Sequence, residues 1–186
     1  RSSDLALTKM LSGLTDEKGQ IAVPGMMDSV RPISTREEEE FRKLPYVEND
    51  FRKQVGLVEG ADLLSHPQAP PIVQVWRLPS LTVNAIQASS RKQAGNIIND
   101  TAWAKVTVRV VADMDPAKVR TQLEDFLRSR VPWGLEVHFH SEAANGAWAT
   151  EAQGPAFDAA MIAMEKGYGK PPFKIGCGGS IPFVKP

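Results

Sequence analysis

The sequence is poor in the features that mark several common protein classes. It has one cysteine, Cys177, among 186 residues, which excludes a disulfide framework and fits a reducing compartment. Lys plus Arg number 22, as do Asp plus Glu, so the basic surplus of a typical nucleic-acid-binding protein is missing. No apolar run approaches the length of a membrane span. We therefore expect a cytoplasmic protein with neither nucleic acid nor membrane as a partner.

What the chain does contain indicates a globular protein. Apolar residues make up 42% and charged residues 24%, and the length suits one sizeable domain plus part of another. Near the end, closely spaced glycines begin at Gly176 and lead into the apolar residues of segment 181–184. A structured loop that feeds an unfinished apolar element is unusual at the end of a domain. We expect a piece of a larger protein, cut soon after it enters a second domain.

The spacing of apolar residues predicts the regular elements. Apolar residues three and four apart predict helices, and strict alternation predicts strands. The predicted helices are 4–14, one that begins at Thr35, one that begins at Asp115-Pro116, and one around 157–166; the predicted strands are 72–75, 81–85, 99–112, 135–139 and 173–175.

This order predicts an α+β fold of the ferredoxin-like kind, a two-layer sandwich. Its four-stranded antiparallel sheet would carry two helices on one face. Residues 1–149 would form this domain, with an irregular insertion at about 15–72. Residues 150–186 would be a helix-strand stub that begins a second domain.

Two polar residues near the clearest strand are candidates for ligand contacts. The predicted strand 99–112 has one face of alanine and valine that is expected to belong to a core, and a polar face that carries Lys105, Thr107 and Arg109. At Arg109 a guanidinium can clamp a carboxylate. A cross-strand ion pair is the alternative for Arg109. Asn96 follows Gly95 before the strand, a position at which a side-chain amide usually serves the turn.

The candidates for metal or nucleophilic chemistry each have a plainer interpretation. His138 and His140 share one face of a predicted strand, but two imidazoles are fewer than the three or four ligands of a zinc site, which favours a solvated polar face. The acidic run 37–40 fits the first turn of a helix, with Thr35 and Glu38 forming a capping box. Nothing near Cys177 in the sequence would activate its thiol as a nucleophile, so we expect a small buried side chain there.

Several segments together resemble the dimetal carnosinase and nonspecific dipeptidase family, which also includes desuccinylases and aminoacylases. The segments that carry this resemblance are Trp76–Ile86, Asn96–Ile98, Val106–Arg109, Asp113–Pro116 and Gly178–Pro182. The spacing from Asn96 to Arg109, combined with the glycine-serine loop, is the most specific part of the match. Asn99 stands where many members of the family have proline.

The resemblance implies that the chain is the lid and dimerisation domain of a zinc-dependent amidohydrolase that acts as a homodimer. It implies that Arg109 binds the terminal carboxylate of a dipeptide or N-acyl amino acid in the partner's active site. Asn96 would contact the scissile carbonyl or its oxyanion, also in the partner's active site, and Gly179 and Ser180 would line the carboxylate pocket. The family holds two zinc ions per subunit, but its ligand motifs are missing from this sequence, so we expect the chain alone to be inactive.

A second function remains open at the level of the sequence. The same elements could form a stand-alone α+β module that binds or senses a small molecule without hydrolysing it. Such a module would need the last segment for its fold or its ligand, whereas a lid domain would stay folded without it.

Overall fold

The computed structural model describes residues 2–92 and 94–178, which form six helices and two strands. In chain order these are α1 (Ser3–Leu11), α2 (Thr35–Arg42), α3 (Glu48–Gln54), α4 (Pro71–Arg77), β1 (Ser80–Gln87), β2 (Trp103–Arg109), α5 (Pro116–Ser129) and α6 (Pro155–Tyr168). Among these residues we find no helix that could span a lipid bilayer. The chain divides into two units, Arg1–Arg31 with Leu78–Ala147, and Pro32–Arg77 with Trp148–Pro186.

The first unit contains α1, both strands and α5 around one apolar core. The buried members of this core are Met10, Leu14, Val23, Met26, Val111, Met114, Val119 and Leu127. Strand residues spaced two apart pack against it, Leu81 and Val83 from β1 and Val106 and Val108 from β2. The predicted core face of the main strand is therefore confirmed, although the strand itself covers 103–109 and not 99–112.

The sheet of the described residues has two antiparallel strands, paired from Ser80 with Arg109 to Gln87 with Trp103. The register shifts between Val83 and Ala85, which leaves Asn84 in a bulge. The predicted four-stranded sandwich is not confirmed, because segment 135–140 forms no strand in the described part of the chain. Its Val137 and Phe139 nevertheless pack against the core, as the predicted alternation requires.

The second unit contains α2, α3, α4 and α6 and has a small core of its own. Ile33, Ala69 and Val73 are buried there. Segment 72–75, predicted as a strand, belongs to helix α4. Val73 is 0% exposed but Val75 is 54% exposed, because residues two apart point in different directions on a helix.

Two helix starts show how local sequence sets the elements. Asp115 caps α5 by accepting a hydrogen bond from the Ala117 backbone N–H, with Pro116 as the first helical residue, as predicted. Helix α2 has a capping box, but Ser34 and Glu37 form it, one residue earlier than the predicted Thr35 and Glu38. The backbone geometry decides this, because Ser34 is extended and Thr35 is already helical.

Candidate functional site

Arg109 is the last residue of β2 and lies opposite Ser80 of β1. Its side chain is exposed, whereas its neighbour Val108 packs against the core. Because successive strand side chains point to opposite faces, the ladder that fixes Val108 inward also directs Arg109 outward. The guanidinium of Arg109 therefore lies outside the apolar core that packs against the other face of the sheet.

The face that carries Arg109 also holds two side-chain pairs. The Thr107 hydroxyl donates a 2.6 Å hydrogen bond to Asn84 Oδ1 in the bulge of β1. Lys105 Nζ lies 2.8 Å from Glu142 Oε1, and this hydrogen bond and charge hold the pKa of the Glu142 carboxyl below its ordinary value. Sequence reasoning placed Thr107 and Lys105 on this face, but it gave no signal for the bulge that brings Asn84 to Thr107.

Asn96 lies at the centre of a tight turn in the loop between the strands. The Ile97 backbone N–H donates a 2.9 Å hydrogen bond to the Gly95 carbonyl, which closes a three-residue turn around Asn96. The residue is exposed, and within residues 2–92 and 94–178 its side-chain amide has no hydrogen-bond partner. The side-chain amide thus forms no hydrogen bond within its own turn, and the residue faces solvent.

The loop that carries Asn96 enters β2 at Trp103, while Arg109 ends the same strand. Six residue steps of strand, about 20 Å, separate Trp103 from Arg109. Gly179 and Ser180, the two remaining predicted contacts, lie outside the described residues. The structure therefore describes Asn96 and Arg109 as two exposed side chains, one before the strand and one at its end.

Cys177 is exposed, so the predicted buried thiol is wrong. It sits beside Gly176, whose backbone lies so close to the Trp76 side chain that an added Cβ would be 2.3 Å from the indole. This close approach to the indole requires glycine at position 176.

The histidines do not belong to a metal cluster in the part of the chain described. No group of three or more His, Cys, Asp or Glu residues that could hold a metal ion occurs among those residues. His138 and His140 are both exposed, and His138 Nε2 lies 3.1 Å from Glu136 Oε1. The described residues therefore do not fit a zinc centre.

Comparison with known proteins identifies the family. The model of the M20 peptidase dimerisation domain matches residues 3–135, which is most of the chain. The chain therefore belongs to the M20 peptidase dimerisation-domain family, and the resemblance found in the sequence is confirmed.

Curated relatives and a solved structure extend this match. The chain is 29% identical over 180 residues to a cysteinylglycine-S-conjugate dipeptidase of Corynebacterium striatum, with 96% of this chain and 38% of the relative covered. It is 25% identical over 185 residues to the Beta-Ala-His dipeptidase of Rattus norvegicus, with 96% and 37% covered. The structure of the dipeptidase Dug1p from Saccharomyces cerevisiae superposes with a TM-score of 0.80 at 22% identity, over 97% of this chain and 38% of that one.

These matches show a shared fold over a limited part of the relatives. The chain spans somewhat more than a third of the length of the curated dipeptidases it matches. Over residues 3–135 the chain corresponds to the M20 peptidase dimerisation domain, and the stand-alone module is not supported.

Proposed function

We propose that this chain supplies the dimerisation surface and two substrate contacts of a zinc-dependent dipeptidase-like amidohydrolase. Arg109 binds the terminal carboxylate of a dipeptide or N-acyl amino acid in the partner subunit's active site. Asn96 donates a hydrogen bond to the scissile carbonyl as it becomes an oxyanion. Gly179 and Ser180 line the carboxylate pocket of the chain's own subunit.

The observation that carries this proposal is the exposed guanidinium at the end of β2 in a domain of the M20 dimerisation family. A guanidinium presents a planar fork of donors that matches a carboxylate, and a strand gives it a fixed base. Asn96 supports the same proposal, because its amide is exposed and has no hydrogen-bond partner within the described residues.

We propose that residues outside the described part of the chain hold the zinc ions of the parent enzyme. Within that part no cluster of donors suits a metal, so the two zinc ions per subunit would be held by residues elsewhere in the enzyme. The isolated chain would then neither bind catalytic zinc nor hydrolyse peptides. Residues 150–186 would be the start of the catalytic segment that follows the lid.

In the assembled enzyme two subunits would form a homodimer, which lets the lid domain of one subunit reach the active site of its partner. In the intact domain, segment 135–140 would join a four-stranded ferredoxin-like sheet, which the packing of Val137 and Phe139 on the core supports. A cytoplasmic location belongs to the proposal because the chain has a single cysteine.

The test uses the full-length parent enzyme with Cys-Gly and β-Ala-His as dipeptide substrates. We expect Arg109→Ala to raise KM by about 10- to 100-fold, because a charge-assisted contact to the carboxylate is lost. Asn96→Ala should lower kcat by about 100-fold with little change in KM, the pattern expected when an oxyanion contact is removed.

Arg120→Ala is the matched control, since Arg120 is an exposed arginine on α5 of the same unit. Its kinetics should equal those of the unmodified enzyme. Unchanged kinetics in both Arg109→Ala and Asn96→Ala would remove the assignment.

A further inference from the structure

Asn99, three residues after Asn96, is tied to the start of helix α1 by four hydrogen bonds. Its carbonyl accepts from the Ser3 backbone N–H at 3.2 Å and from the Ser3 hydroxyl at 3.0 Å. Its own N–H donates to Ser2 Oγ at 3.3 Å, and its side-chain Nδ2 donates to Asp4 Oδ2 at 3.0 Å. These bonds join positions more than 90 residues apart in the sequence.

The rest of this loop is exposed to solvent. Within segment 94–101, Asn99 is half-buried and every other residue is exposed. The Asn96 side chain has no partner of its own in the described part of the chain, so its position follows from the backbone. That backbone forms a tight turn at Asn96 and is held at Asn99 by the four hydrogen bonds to the start of α1.

We propose that Asn99 and Asp4 are positioning residues that hold Asn96 in place for its contact with the substrate carbonyl. This inference rests on the proposed function of Asn96. We call the four hydrogen bonds of Asn99 the anchor. Three of them join the Asn99 backbone to Ser2 and Ser3, and the fourth joins the Asn99 side chain to Asp4. Only asparagine or glutamine could supply an amide donor to the Asp4 carboxylate at position 99, and glutamine is one methylene longer.

The competing explanation is that Asn99 merely caps α1. The Ser2 side chain makes no capping bond to its own helix, and the Asn99 carbonyl takes the first helical N–H instead. A purely structural cap would lower the stability of α1 when removed but would leave turnover unchanged. A positioning residue would lower kcat with KM preserved, since misplacing a catalytic contact by 1 Å can cost about 100-fold in rate.

The experiment measures kcat and KM of the full-length enzyme with Cys-Gly and β-Ala-His, and hydrogen exchange of the Ile97 amide. We expect Asn99→Ala and Asp4→Ala each to lower kcat by about 10- to 100-fold, with KM within about twofold. Asp4→Asn should restore most of the activity, because its side-chain oxygen still accepts from Asn99. Ile97, whose N–H closes the turn at Asn96, should exchange faster in both alanine variants.

Asn99→Asp is a second variant that keeps the side-chain shape but sets two carboxylates against each other, and it should resemble Asn99→Ala. Asp100→Ala, at the exposed neighbouring position, is the control and should behave as the unmodified enzyme. The inference is overturned if Ile97 exchange is unchanged in Asn99→Ala, or if kcat is unchanged there while Asn96→Ala lowers it. If Asn96→Ala itself leaves kcat unchanged, the role of Asn96 fails, and the Ile97 exchange alone decides whether the anchor exists.

Discussion

Arg31 binds Asp113 through two hydrogen bonds, from Nε to Oδ2 at 2.7 Å and from Nη2 to Oδ1 at 3.2 Å. Asp113 has a φ of +72°, a left-handed conformation that costs a non-glycine residue about 1–2 kcal/mol. It lies in the turn between the end of β2 and the start of α5. The ion pair therefore stabilises a strained turn in the first unit by joining it to Arg31.

Substitutions at Asp113 should separate the contribution of the ion pair to the free energy of unfolding from the contribution of the backbone strain. Asp113→Ala loses the pair and places alanine, which adopts a positive φ less readily than aspartate, in the same backbone conformation, so we expect the free energy of unfolding to fall by about 1–2 kcal/mol. Asp113→Gly loses the same pair but tolerates a positive φ, so its loss should be smaller. Urea unfolding of the chain measures both values.

Arg31→Ala is the control that removes the pair without changing the residue at position 113. Both side chains are about half exposed, at 51% and 48%, so removing the arginine should cost no more than about 1 kcal/mol. A glycine variant at position 113 that is less stable than the alanine variant would contradict the role assigned to the strained backbone.

The start of helix α2 gives a second prediction, which decides between two capping residues. Ser34→Ala should lower the free energy of unfolding by about 0.5–2 kcal/mol, because the Ser34 hydroxyl accepts from the Glu37 backbone N–H. Thr35→Ala should have little effect, since Thr35 is the first helical residue and not the cap. Thermal unfolding of both variants checks this, and a larger loss from Thr35→Ala would mean that the helix starts one residue later.

Local sequence was a good guide where a short motif fixes the backbone. Asp115-Pro116 predicted the start of α5 correctly, because proline presets the helical φ and aspartate accepts the first free N–H. The alternation from Trp103 to Arg109 correctly predicted which side chains face the core and which face solvent. In both cases the signal lies within a few residues.

Sequence reasoning failed where several backbone conformations suit the same residues. The run from Ile72 to Val75 is apolar enough for a strand, but Pro71 begins a helix there, and short apolar runs do not distinguish the two. The anchor at Asn99 was also missed, because its partners Ser2, Ser3 and Asp4 lie more than 90 residues away. No periodicity in the chain reports such a long-range contact.

Glu37 gives the last prediction, a change of stability with pH. Burial acts to raise the pKa of the Glu37 carboxyl. Hydrogen bonds from the Ser34 backbone N–H, from Arg77 and from the Ser34 hydroxyl lower the pKa by more than burial raises it. The pKa of Glu37 therefore lies below its ordinary value of 4.5. Arg77 Nε is 3.1 Å from Glu37 Oε1, and the Ser34 backbone N–H is 2.9 Å from Oε2. The folded state thus favours the ionised carboxylate.

A carboxyl whose pKa is lowered by folding stabilises the fold above its ordinary pKa, and this stabilisation is lost as the pH falls through the folded-state pKa. Glu37→Gln should therefore be less stable than the unmodified chain at neutral pH, and the difference should shrink as the pH falls below 4.5. Urea unfolding of the two chains at a series of pH values measures it. Glu39→Gln, at an exposed position of the same helix, removes one negative charge without these hydrogen bonds and gives the background. A stability difference for Glu37→Gln that stays constant into acid, or grows there, would show that the carboxylate is not held by Ser34 and Arg77.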